Sequence, residues 1–127
     1  MSIRQGFTVE GDVDPAESFA FAAQHGFEFV ELNMESGFQR AHVNLDRIRT
    51  LAADYDLDLV VHLPYRIDVA SPHEYARNGA QREMVAAMET AAAMGSEKEF
   101  FTLARLLSPV RGTLSGYVIW CLNQLTS

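Results

Sequence analysis

The chain's chemistry is concentrated in Val60-Val61-His62-Leu63-Pro64-Tyr65-Arg66-Ile67-Asp68-Val69-Ala70-Ser71-Pro72. An apolar, β-branched run ends on an imidazole. An aromatic ring, a guanidinium and a carboxylate follow at once. A neutral imidazole in such a place is a good ligand for zinc, manganese or a similar divalent ion. Metal centres gather several ligands, however, and no second one stands close to His62 in sequence. The plain alternative is a strand-end histidine satisfied by a backbone carbonyl. Glu31, near the end of the alternating run Phe27 to Asn33, is the second candidate. A carboxylate there can act as a general base or bind substrate. Its plain alternative is a solvated side chain or an arginine partner. Glu10 and Asp12 read as solvated loop, and Ser36-Gly37-Phe38 as a conceivable lid. His25, His42 and His73 fall on or beside helices and read as surface residues.

These side chains need elements to hold them. Residues 3–9 read as a short apolar strand. Asp14-Pro15-Ala16-Glu17 is a helix start, with Asp as cap, Pro at the first helical position and Glu three residues after the cap. Phe19, Ala22 and Ala23 give that helix its apolar face, and Gly26 ends it. Residues 27–33 read as a second strand. Asn44 caps a helix whose apolar face is Leu45, Ile48, Leu51, Ala52 and Tyr55. Asp58 to Leu63 reads as a buried parallel strand, apolar on both faces. Ser71-Pro72-His73-Glu74 repeats the helix-start chemistry, and Met84, Val85, Met88, Ala91 and Ala92 line the long helix that follows. Gly95 stops it, and residues 97–103 form a fourth strand.

Strands alternating with amphipathic helices imply right-handed crossovers and a parallel sheet. The fold class is therefore α/β, a truncated (β/α)8 TIM-type barrel of three βα units plus a fourth strand. Eight such units need about 250 residues, and this chain has 127. The expected division is 1–98 as the barrel part and 99–127 as an atypical tail, foreign or frameshifted. Ser108-Pro109, Gly112 and Gly116 break any regular pattern there. Gly116 to Leu125 is apolar and reads as a strand or a short helix. It falls well below the ~20 residues of a membrane span.

Composition narrows the function classes. With 17 acidic and 10 basic residues the net charge is −7, which opposes nucleic-acid binding. Every acidic residue precedes residue 100, whereas Arg105 and Arg111 are the charged side chains after it. Lys98 is the single lysine. Scarce lysine with abundant acid suits a salt-adapted chain, which softens the charge argument. Cys121 has no partner for an internal disulfide. Met1 to Glu10 lacks a long apolar stretch, so the expectation is a cytoplasmic protein.

The run His62-x-x-Tyr65-x-Ile67-Asp68-Val69-Ala70-Ser71-Pro72 resembles the third-strand region of the xylose isomerase-like barrel superfamily. That group includes sugar phosphate isomerases and epimerases and the endonuclease IV type of repair enzyme. Ala91-Ala92-Ala93-Met94-Gly95-Ser96-Glu97-Lys98 resembles its approach to strand four. The resemblance covers residues 3–98 and implies a divalent-metal enzyme using zinc or manganese. In the endonuclease branch the resemblance makes His62 a metal ligand and places Tyr65 in the substrate groove; in the sugar branch it makes His62 a substrate contact or a support for one. Beside it, Arg66 and Asp68 are the further expected substrate-binding residues, and Glu31, by its strand-end position, the expected catalytic or substrate-side group. Asp68 stands where the family often has Asn. The family's next strand-end histidine is missing from Glu97 to Leu103.

Three functions follow as expectations. The first is a metal-dependent isomerase or epimerase of a small-molecule sugar or sugar phosphate, truncated and inactive alone. The second is an abasic-site nuclease of the same fold. The third is a non-catalytic remnant, a half-barrel that needs a homodimer or a partner half to cover its edges and interior.

Overall fold

The computed structural model describes residues 3–96, together with the backbone of strands at 98–102 and 119–122. The elements run β1 (Gly6–Val9), α1 (Pro15–Gln24), β2 (Phe29–Asn33), α2 (Leu45–Asp54), β3 (Asp58–His62), α3 (Glu74–Met94), β4 (Lys98–Thr102) and β5 (Ile119–Leu122). Strand order in the sheet equals chain order. The pairs β1–β2, β2–β3 and β3–β4 are parallel. This is the expected opening of a (β/α) barrel, in which each crossover helix returns the chain to the next strand along. β5 departs from that pattern and pairs antiparallel to β4. The apolar stretch of the tail thus contributes a strand, while residues 103–118 and 123–127 lie outside the described residues.

The first two helices start where their caps dictate. Asp14 accepts a hydrogen bond from Ala16 N, with Pro15 in the first turn, and Asn44 accepts one from Arg47 N. α3 starts differently from expectation. His73, not Ser71, holds the cap position, and no side chain caps it. Ser71 is buried and its Oγ accepts from His73 N, so it closes a turn before the helix. Gly95 ends α3 in the left-handed conformation at φ 90°, where glycine carries no Cβ penalty.

The helices pack on one face of the sheet. Phe19, Ala22, Ile48, Ala87, Ala91 and Met94 join Val9, Val30, Leu32, Leu59 and Val61 in a single core. Large side chains buried this fully each contribute about 1.5–3 kcal/mol. The buried positions of α3 are Ala80, Ala87, Ala91 and Met94. Val85 and Ala92, expected on this stripe, are exposed, because the helix rotates its small residues toward the sheet. Small side chains there bring helix and sheet close together.

Side chains alternate along each strand. Phe7, Val9, Val30, Leu32, Leu59 and Val61 share the helix face by register. Thr8, Glu31 and Val60 form one row on the opposite face, and Asn33 and His62 form the next. In a barrel that opposite face is the interior. The first strand is shorter than its apolar pattern suggests. Ile3 is exposed, the strand register begins at Gly6, and Arg4 pairs instead through its side chain with Asp58 and Glu28.

Candidate functional site

The carboxyl ends of β1, β2 and β3 open onto three loops: 10–14, 34–44 and 63–73. His62 is the last residue of β3 and lies beside Asn33 of β2. The strand ladder continues one step past it, where His62 O accepts from Met34 N at 3.0 Å. The His62 ring is half-buried, with Nδ1 inside the protein, and meets the Tyr65 ring at 5.3 Å and 60°. The Arg66 guanidinium lies 5.9 Å from the Tyr65 ring centroid. Such a cation beside a half-buried ring near the surface is worth about 0.5–1 kcal/mol.

Glu31 occupies the interior row one step before His62 and is half-buried. Asp68 is half-buried in the loop, where its Oδ1 accepts from Ala70 N at 3.0 Å. That bond closes an Asx turn, so one of its carboxylate oxygens already serves the loop. The structure thus brings His62, Tyr65 and Arg66 together, sets Glu31 on the same sheet face, and gives Asp68 a turn-forming bond. His25, His42 and His73 are exposed, and His25 stacks on Phe21 at 4.0 Å.

Glu35 shapes the site without any chemical signal in its own spacing. Glu35 Oε1 accepts from Tyr65 N at 2.9 Å and from Arg66 N at 2.8 Å. Asn33 Oδ1 accepts from Glu35 N at 2.9 Å. The order Asn-x-Glu-x-Gly just after a strand is an Asx-turn signal that could have drawn attention to this loop. Gly11 and Gly37 press backbone against backbone. A Cβ on Gly11 would sit 1.9 Å from Ser36 O, and one on Gly37 would sit 2.4 Å from Gly11 Cα. The segment Ser36-Gly37-Phe38 is therefore no lid. Phe38 is buried and Gly37 is locked against the first loop.

The same loop is tied to α3. Arg40 grips Glu83 through two bonds, at 3.1 and 2.9 Å. This hydrogen bond holds the Glu83 carboxyl below the usual glutamate range and raises Arg40. Arg77 donates to Ser71 O and Gln81 to Val69 O, each at 3.0 Å, which fixes the end of the third loop to the start of α3.

The donors for a metal are incomplete among the described residues. No three His, Cys, Asp or Glu side chains gather there. One imidazole and a carboxylate one row away fall short of the three protein ligands of a catalytic centre. No helix among the described residues is long and apolar enough to cross a membrane.

The model of the xylose isomerase-like TIM barrel family matches residues 19–117. This chain belongs to that family. Members of the family generally use divalent metals. Solved structures agree on the fold. D-allulose 3-epimerase from Methylomonas sp., in complex with D-allulose, superposes with TM-score 0.59 at 19% identity, over 75% of this chain and 35% of that one. D-psicose 3-epimerase, in the presence of D-fructose, gives 0.65 at 13% identity, over 80% and 38%. Endonuclease IV from Thermus thermophilus gives 0.56 at 19% identity, over 75% and 38%. The chain therefore spans little more than a third of the length of these structures. A comparison with curated protein sequences gives no match.

Proposed function

We propose that the chain carries the opening part of a sugar epimerase or isomerase, with the His62 face as its substrate side. The observation that carries this reading is the His62–Tyr65 pair at the carboxyl end of β3. It lies where family barrels do their chemistry, in a chain whose superposed relatives include two sugar epimerases. Tyr65 offers a ring face against which an apolar sugar surface can lie. Arg66 and Asp68 would hydrogen-bond its hydroxyls. Glu31, on the interior face, is the proposed base, which would take a proton from the carbon next to a carbonyl.

Charge favours an uncharged sugar over a phosphorylated one. The described rim carries Glu10, Asp12, Glu31 and Asp68. Of its cations, Arg40 is bound to Glu83, Arg47 to Asp14 and Arg77 to a backbone carbonyl. Among the described residues of the rim, Arg66 alone would face a phosphate dianion. The same balance opposes the nuclease reading, because a DNA backbone needs several unengaged cations.

His62 is the proposed ligand for zinc or manganese, with the others supplied from outside the described residues. The 127 residues by themselves are then expected to lack turnover, in keeping with a half-barrel that works only with a partner half or a second copy. The test is direct. Purified chain with manganese or zinc is incubated with a panel of ketohexoses and their phosphates, and with abasic-site DNA. The expected result is no epimer and no incision. Turnover of a ketose would overturn the incomplete-site reading. Incision above background would put the nuclease first.

A further inference from the structure

The hydrogen-bond ladder between β2 and β3 runs out just after His62, and the next residues must find other acceptors. Leu63 and Pro64 are buried, and Pro64 has no N–H to give. Tyr65 and Arg66 follow with two consecutive N–H groups beyond the last ladder bond. Both converge on one oxygen, Glu35 Oε1, at 2.9 and 2.8 Å. Successive N–H groups turned toward one point form an anion-binding concavity. Here the anion is supplied by the neighbouring loop.

Glu35 is itself held from two sides. Its N–H donates to Asn33 Oδ1, and the preceding N–H, of Met34, donates to His62 O. Two residues later Gly37 is pressed against Gly11. The segment 33–37 thus touches the first loop on one side and the third on the other. What it fixes in the third loop is the residue whose ring meets His62.

We propose that Glu35 is a positioning residue: its carboxylate sets the turn at Tyr65 and, through the Tyr65 ring, the orientation of the His62 imidazole. This rests on the reading of the His62 face as the substrate side. The role assigned to Glu35 is structural, because its Oε1 is spent on two backbone N–H groups of the third loop. Its part is to keep the imidazole and the aromatic ring in one arrangement before any ligand arrives, which is the supporting role that precise sites need.

The test uses the full 127-residue chain and needs no ligand. Glu35→Ala, Glu35→Gln and Asn33→Ala are compared with wild type by NMR. The readouts are the ring nitrogen signals of His62 and the amide exchange of Tyr65, Arg66 and the core-strand amide of Val61. With Glu35→Ala, exchange at Tyr65 and Arg66 is expected to rise about tenfold or more while Val61 stays put. The His62 ring signals should shift with it. Glu35→Gln keeps an oxygen acceptor and should restore most of both effects. Asn33→Ala loosens Glu35 from behind and should move the same signals less, and it carries the test if Glu35→Ala does not fold. A lower melting temperature with unchanged His62 ring signals would overturn the proposal and leave Glu35 a stability contact. A wild-type chain that binds no ketose, with these signals moving as described, would fail the functional reading alone.

Discussion

Three glycines allow the contact between the first two loops to be weighed. Gly26 and Gly37 both have positive φ, at 78° and 86°. A Cβ on Gly26 would meet nothing within 4 Å, whereas one on Gly37 would sit 2.4 Å from Gly11 Cα and 2.8 Å from its carbonyl. Gly26→Ala therefore measures the left-handed backbone cost alone, about 1–2 kcal/mol. Gly37→Ala adds an overlap with backbone that no side-chain rotation can relieve. Overpacking of this kind costs a further 1–3 kcal/mol or so, giving a total of about 2–5 kcal/mol. Gly11→Ala, with its Cβ 1.9 Å from Ser36 O, should show the overlap cost without the positive-φ cost. Equilibrium urea unfolding followed by circular dichroism measures all three. If Gly37→Ala is no more destabilising than Gly26→Ala, the loops do not touch as described. The locking of Gly37 against the first loop then fails.

Other perturbations report on separate parts of the fold. Phe19→Ala empties the largest fully buried side chain of α1 and should cost about 3–5 kcal/mol, read from the same urea curves. Asp56 holds φ 52° just past the end of α2, where glycine fits and an acid opposes the helix dipole. Asp56→Gly should therefore stabilise by about 0.5–1 kcal/mol, seen as a higher melting temperature. The Arg40–Glu83 pair lowers the folded-state value of Glu83. Its contribution should be fully present above the ordinary glutamate value of about 4.3 and vanish as pH falls through the lowered folded value. Comparing wild type with Arg40→Gln across that acid range measures it. The difference should be small, because both side chains are more than two-fifths exposed.

Much of this architecture is legible from local chemistry. Asp14 and Asn44 announce their helices because a short polar side chain before an amphipathic run has one favourable use. The apolar run ending at His62 announces a buried parallel strand because both of its faces are apolar. The failures share a cause. Ser71 carries the right type for a cap, yet its burial turns the hydroxyl toward the neighbouring backbone. Val85 and Ala92 fit an apolar stripe by type, but α3 is placed by its smallest residues. Glu35 could not be found by spacing, since its partners lie about thirty residues on and are backbone groups common to nearly all residues. The glycine contact escaped for a similar reason: what matters at Gly11 and Gly37 is a Cβ that is not there.

The central claim is that the His62–Tyr65 face is the sugar side of the barrel. Titrating ¹⁵N-labelled chain with D-fructose at millimolar concentration, and following backbone and ring signals, tests it most directly. The expected result is saturable shifts centred on His62, Tyr65 and residues 33–36. Saturable shifts centred instead on Asp56, Leu57 and Gly95 at the opposite end of the strands, or no saturable shift at all, would contradict it.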